Sequence, residues 1–143
     1  MRCCLLCFFI LICTSCHAPS ASEANQINIH LSKDSQTVCI SGLEYAILHE
    51  MKQDSLTQEN WQGIFPIYRM PTDTDLKDLQ PEQPGTYQIT DSLLTFKPDT
   101  AFKKHQQYFA RFYGNGTNFS TSNLLRSKSN LKGQSFTEVV FKF

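Results

Sequence analysis

The stretch GTYQITDSLLTF, residues 85–96, carries the strongest fold signal in the chain. Its first half alternates polar and apolar residues, which is typical of a strand with one buried face. Asp91 and Ser92 then supply a tight turn, and residues 93–96 are apolar again, so the stretch predicts a β-hairpin. Further short strands are predicted at residues 27–31, 38–40, 64–70, 105–113 and 136–143.

Residues 43–53 fit two patterns, because their apolar positions match both helical spacing and strand alternation. Their content of Ala, Leu, Glu, Met and Lys favours a helix. Ser55 or Thr57 is expected to cap a second helical turn that ends near Gly63, with Trp61 pointing inward. The chain is therefore predicted to be mainly β, an antiparallel sandwich of about seven strands with a short helical insert.

Two longer segments are predicted as loops. Residues 71–84 are acidic and contain several prolines, and residues 114–135 are rich in Gly, Asn and Ser, which favours a long mobile loop.

Composition narrows the functional classes. The 143 residues are 41% hydrophobic and 18% charged, which favours one folded domain over a disordered chain. Thirteen basic residues balance thirteen acidic ones, and no long basic run stands out, so we expect no nucleic-acid partner. The sequence has no Gly-rich phosphate loop, metal-ligand cluster or nucleophile elbow, so we predict no cofactor and no enzymatic activity.

The first residues have the features of an export signal. Arg2 precedes an apolar run at residues 5–12, which is shorter than the ~20 residues that a membrane-spanning helix needs. Small residues then lead into Cys16, and the arrangement resembles the lipobox of bacterial lipoproteins, although Cys13 stands where leucine is usual.

The lipobox resemblance implies a processing scheme and a location. Residues 1–15 would be the signal peptide, the Cys16 thiol would be acylated, and residues 16–25 would form a flexible tether to a domain at 26–143. The protein would then be attached to a membrane of the cell envelope through its lipid. The residue after the cysteine is His17 rather than the aspartate that signals inner-membrane retention, which favours the outer membrane. An ordinary cleaved signal peptide is the alternative.

Cys13, Cys16 and His17 also have the Cys-x-x-Cys-His spacing of a c-type haem site. Cleavage before Cys16 would separate the two thiols, so lipidation is favoured over haem. Cys39 would be the one cysteine left beyond the lipidated residue, and its apolar neighbours predict a small buried side chain rather than a reactive thiol.

Residues 85–87, 94–99 and 108–110, together with Phe102, resemble the bacterial Ig-like domains of surface-layer and exported proteins. The resemblance implies an Ig-like sandwich. Phe102 and Tyr108, six residues apart, suit a tyrosine corner, in which the hydroxyl bonds the backbone of the crossing loop. The resemblance does not indicate a function.

Three aromatic residues, Trp61, Tyr68 and Tyr113, are candidates for a carbohydrate or partner platform, although filling of the core is the favoured interpretation. Charge is also uneven along the chain. Residues 44–82 hold eight acidic and three basic residues, and residues 97–142 hold eight basic and two acidic ones. Internal pairing is favoured over a bipolar docking surface.

Together these observations predict a monomeric, lipid-anchored, non-enzymatic binding or accessory module, with an envelope protein or a glycan as its partner. The alternative is a small envelope protein that handles or hydrolyses carbohydrate with an aromatic and acidic pocket around residues 61–82.

Overall fold

The computed structural model describes residues 26–114 and 135–143. The predicted leader, Cys16 and the tether, and almost all of the loop predicted at 114–135, lie outside the described residues. The elements in chain order are β1 (Asn28–Leu31), β2 (Val38–Ser41), α1 (Tyr45–Gln53), α2 (Gln58–Ile64), β3 (Ile67–Arg69), a 3-10 helix (Thr74–Leu79), β4 (Gly85–Ile89), β5 (Leu94–Pro98), β6 (Gln107–Phe112) and β7 (Thr137–Lys142).

These seven strands form two antiparallel sheets. The larger has the order β1-β2-β5-β4 and the smaller has the order β3-β6-β7. The predicted hairpin at 85–96 is confirmed, since β4 pairs with β5 and Tyr87 lies opposite Phe96. The prediction of a mainly β, antiparallel sandwich is therefore confirmed.

The core is aromatic and aliphatic, and it includes the inward faces of both sheets. Phe65, Phe96 and Phe112 are fully buried. The ring of Phe65 meets that of Phe112 edge to face, with centroids 6.3 Å apart. Alternation explains the arrangement in the larger sheet, because Leu94 and Phe96 are buried while Lys97 is exposed.

The ambiguous segment at 43–53 is helical, as its composition predicts. Leu48 and Met51 of α1 are buried, so this helix packs one face on the core. Thr57 is the cap of α2, and its hydroxyl accepts the Asn60 N–H at 3.3 Å. Trp61 points inward, as expected.

Among the boundary predictions, those for residues 64–70 and 71–84 are wrong. Residues 64–70 do not form one strand, because the Phe65 N–H donates to the Trp61 carbonyl at 2.8 Å and extends the turn of α2. Pro66 follows, and β3 begins only at Ile67, at the edge of its sheet. The segment 71–84 is not wholly loop, because Asp73 caps the 3-10 helix by accepting the Asp75 N–H at 3.0 Å.

Candidate functional site

The three aromatic candidates are divided between the core and the surface. Trp61 is only 9% exposed and stacks on Tyr87 with ring centroids 5.5 Å apart. It therefore belongs to the core and cannot form a platform. Tyr68 and Tyr113 are half-buried and line the same groove.

We name this groove the tyrosine–glutamate groove. It has a volume of about 260 Å³. Its lining residues are Glu59, Gln62, Gly63, Pro66, Tyr68, Glu82 and Tyr113. The groove thus contains Tyr68 and Glu82 of the aromatic and acidic pocket predicted around 61–82, without the tryptophan, and it adds Glu59 from outside that range.

Backbone hydrogen bonds hold the walls of the groove in place. Glu82 lies opposite Tyr68 in an isolated β-bridge, and the next amide, that of Gln83, donates to the Ile67 carbonyl at 2.7 Å. On the other side, the Tyr113 N–H donates to the Ile64 carbonyl at 3.1 Å. The end of β6 is therefore bonded to the end of α2, and the segment that carries Glu82 is bonded to β3.

The sequence alone did not single out Glu59, Gln62 or Gly63. The available signal was their spacing, because positions three and four residues apart lie on the same face of a helix. All three belong to α2, whose inward face carries Trp61. The outward face of this short helix could have been assigned to the site on that basis.

Tyr68 of the groove and Tyr87, which packs against the core, keep their hydroxyl protons at physiological pH. Burial, followed by the nearby Tyr113 and Glu82, raises the pKa of Tyr68. Burial, followed by Glu82, raises the pKa of Tyr87, whose hydroxyl donates to the Phe65 carbonyl at 2.9 Å. Tyr68 therefore offers a hydrogen-bond donor beside the carboxylate of Glu82 at physiological pH.

Below Tyr68 the outer face of the smaller sheet is aromatic. The Tyr68 ring stacks on Phe109, with centroids 4.9 Å apart. The Arg111 guanidinium lies 5.1 Å from the centre of the Phe109 ring and 4.8 Å from that of Phe136, as cation–π contacts require. Lys77 of the 3-10 helix lies 4.7 Å from the Phe109 ring centre, so Phe109 is fully buried although it faces outward.

An ion-pair network covers this face. Arg111 Nε donates to Glu138 at 2.8 Å, Arg111 Nη2 donates to Asp78 at 2.7 Å, and Lys77 donates to the other oxygen of Glu138. Burial opposes the charge of Arg111, but the bonds to Glu138 and Asp78 outweigh it and raise the pKa of Arg111. Burial likewise opposes the charge of Glu138, and its bonds to Lys77 and Arg111 outweigh burial, so the pKa of Glu138 is lowered.

The residues Phe102 and Tyr108 contact each other where the chain passes from β5 to β6. Their rings meet edge to face with centroids 4.8 Å apart, and the Lys103 N–H donates to Tyr108 Oη at 3.2 Å. Tyr108 is buried. This hydroxyl therefore bonds the backbone five residues upstream and holds the loop against the core.

The remaining candidate residues show no further site in the described part of the chain. Cys39 is buried, and burial raises the pKa of its thiol, so it behaves as a small apolar side chain. Within residues 26–114 and 135–143 no group of three or more His, Cys, Asp or Glu side chains could hold a metal ion. No helix in those same ranges is long and apolar enough to cross a membrane.

No protein-family model, curated protein or solved structure matches the chain. The resemblances to lipoproteins and to Ig-like domains therefore stay predictions.

Proposed function

We propose that this chain is a lipid-anchored protein of the cell envelope whose β-sandwich acts as a non-enzymatic binding module. The observation that carries the proposal is the tyrosine–glutamate groove, where Tyr68, Tyr113, Glu59 and Glu82 line one concave surface. The anchor is inferred from the sequence, in which an apolar run and small residues precede Cys16.

We propose a glycan as the ligand of the groove. Tyrosine rings pack on the apolar faces of sugars, and carboxylates accept hydrogen bonds from sugar hydroxyls. The volume of about 260 Å³ is near the lower end of small-molecule sites and suits one or two sugar rings. Since Trp61 lies in the core, Tyr68 and Tyr113 are the members of the suggested aromatic platform that line the groove.

Calorimetric titration tests the groove. The full chain in a neutral detergent is titrated with two uncharged probes, cellotriose and tri-N-acetylchitotriose. We expect at least one probe to bind, and Glu82→Gln to weaken that binding about tenfold, because a hydrogen bond to a charged group is lost. Glu44→Gln is the control, since Glu44 is exposed and its side chain makes no capping bond to α1.

Two results would contradict the glycan proposal: neither trisaccharide binds, or Glu82→Gln binds as tightly as the parent chain. The same samples test the hydrolytic alternative, because hydrolysis would release shorter sugars that chromatography detects. A release that Glu82→Gln abolishes would overturn the non-enzymatic proposal.

Fractionation of cells tests the anchor separately. We expect Cys16→Ala to lose membrane association and His17→Ala to keep it, because acylation needs the thiol and not the imidazole. If His17→Ala loses a visible absorption band that the parent protein shows, the haem alternative is correct. If Cys16→Ala stays in the membrane fraction at the parent size, the lipoprotein proposal is wrong.

A further inference from the structure

A second concavity lies where the β1–β2 turn meets the ends of β5 and β7. Its volume is about 640 Å³, well within the range of small-molecule sites. Residues 34–36 come from the turn, residues 97–99, 101, 102 and 104 from the end of β5 and the segment after it, and residues 142–143 from the end of β7. None of the residues that line it belongs to the tyrosine–glutamate groove, so this pocket is a separate place on the sandwich.

Three lysines, Lys97, Lys104 and Lys142, line this pocket, and we name it the lysine pocket. In the described part of the chain none of the three forms an ion pair. Two acidic residues, Asp34 and Asp99, also line the pocket. Lysines therefore outnumber acidic residues in the lining by one.

The carboxylate of Asp34 is occupied by its own turn. It accepts the Ser32 hydroxyl and the Gln36 N–H, the latter at 3.1 Å. These bonds lower the pKa of Asp34, so it stays charged but already has local partners. Asp99 is the acidic residue whose removal should make the pocket more positive.

An aromatic pair adjoins the lysines. Phe102 and Phe143 both line the pocket and stack on each other with ring centroids 4.5 Å apart. Tyr108 contacts both rings edge to face, and its hydroxyl is held by the Lys103 amide. The aromatic wall is thus supported by the core and is in place before any ligand arrives.

We propose that the lysine pocket binds a phosphate monoester that carries an aromatic or apolar group. A monoester has a charge of about −1.5 to −2 near pH 7. A ligand of that charge is attracted by several ammonium groups more strongly than a ligand with one carboxylate would be. Lysine binds phosphate as a point charge from variable positions, and a phenylalanine pair offers a surface for the attached apolar group. The phosphate belongs either to a soluble compound or to a lipid headgroup, and the probes below distinguish the two.

The test is a calorimetric titration of the full chain in a neutral detergent at low salt. Phenyl phosphate represents the soluble compound, dihexanoyl phosphatidic acid represents the headgroup, and inorganic phosphate lacks the apolar group. We expect phenyl phosphate or the phosphatidic acid to bind more tightly than inorganic phosphate. The organic probe that binds more tightly shows whether the phosphate belongs to a soluble compound or to a lipid headgroup. Raising the salt concentration should weaken binding, since salt screens exposed charges.

Matched variants identify the pocket. The double variant Lys104→Ala/Lys142→Ala should weaken binding about 25-fold, because each charge near 4 Å in water contributes roughly fivefold and the two factors multiply. Lys52→Ala, an exposed lysine of α1 that does not line the pocket, should leave binding unchanged. Asp99→Asn should tighten binding, a gain that a purely structural role of Asp99 would not give.

The proposal is wrong if neither organic probe binds. It is also wrong if the double lysine variant binds as the Lys52→Ala control does, or if inorganic phosphate binds as tightly as phenyl phosphate and the phosphatidic acid. Circular dichroism of each variant confirms that a loss of binding is not a loss of fold. These outcomes are independent of the trisaccharide titrations, because the two sets of lining residues do not overlap.

Discussion

Replacing Arg111 by methionine tests whether the ion-pair network holds the 3-10 helix on the sandwich. The change keeps an apolar stem above Phe109 and removes the guanidinium. The Arg111 side chain is only 12% exposed, and it bonds Glu138 at 2.8 Å and Asp78 at 2.7 Å. The variant therefore removes this partner from Asp78 and leaves Glu138 with its bond to Lys77.

The expected loss is about 3 kcal/mol in the free energy of unfolding. The bond to Glu138, whose side chain is 21% exposed, is worth roughly 2 kcal/mol as a hydrogen bond between charged groups. The bond to Asp78, which is 77% exposed, adds only about 0.5 kcal/mol. The cation–π contacts with Phe109 and Phe136 add roughly another 0.5 kcal/mol.

Urea unfolding measures this loss and its origin. Four proteins are compared: the parent chain, Arg111→Met, Glu138→Gln and the double variant. We expect a coupling energy between the two positions of about 1.5 kcal/mol, which isolates their mutual bond. Arg69→Met is the control, because Arg69 is exposed on β3 and forms no ion pair in the described residues, so it should cost less than about 0.5 kcal/mol. An Arg111→Met loss no larger than that of Arg69→Met would refute the reasoning.

The same network predicts the effect of acid. The pKa of Glu138 is lower in the folded chain than its ordinary value of about 4.3, so the unfolded chain binds the proton more readily. The stabilisation from Glu138 is fully present above that ordinary value and is lost as the pH falls through the lowered one. The difference in stability between the parent chain and Glu138→Gln should therefore be constant near pH 7 and shrink below about pH 4. A difference that grows towards acid would contradict the assignment.

Three further variants test the packing, each by urea unfolding. Gly85→Ala should cost about 2–3 kcal/mol, because a Cβ there would lie 2.5 Å from the Lys97 carbonyl and the Phe96 ring, and a loss below about 0.5 kcal/mol would show that the strand shifts freely. Thr57→Ala should cost about 1 kcal/mol through the lost cap of α2, whereas Thr57→Ser should cost little, and equal losses would contradict the cap. Tyr87→Phe should cost about 1–2 kcal/mol, because the Phe65 carbonyl loses its donor, and an unchanged midpoint would show that water replaces the hydroxyl.

The sequence predicted those parts of the fold that depend on local patterns. The alternation in 85–96 predicted the β4–β5 hairpin, and the two polar candidates Ser55 and Thr57 predicted the start of α2 to within two residues. Such signals lie within a few residues of the structure that they determine. The predicted ends of strands were less accurate, because they also depend on contacts with residues that are distant in the sequence. The predicted strand at 105–113 begins only at Gln107, because His105 adopts a φ of 61° and donates its N–H to the Phe143 carbonyl.

The parts that the sequence did not predict depend on distant partners. The 3-10 helix lies in a segment that proline and acidic residues mark as loop, yet Lys77 bonds Glu138, 61 residues away, and Asp78 bonds Arg111, 33 residues away. The groove likewise combines side chains from α2, β3, the segment before β4 and the end of β6. Periodicity within one element cannot show which elements meet, so the aromatic candidates could be named but not sorted into core and surface.

The uneven charge of the chain is partly paired internally. Asp78 of the acidic half pairs with Arg111 of the basic half, which is the internal pairing expected. Glu59 and Glu82 of the acidic half instead line the groove, while Lys97, Lys104 and Lys142 of the basic half line the other pocket.

The two proposed sites therefore differ in the sign of their charged side chains, and their ligands should differ in salt dependence. An uncharged glycan carries no net charge to screen, so its affinity for the tyrosine–glutamate groove should change little with ionic strength, whereas a phosphate monoester should leave the lysine pocket as salt rises. Equal salt dependence of both ligands would contradict the placement of the phosphate monoester among the three lysines.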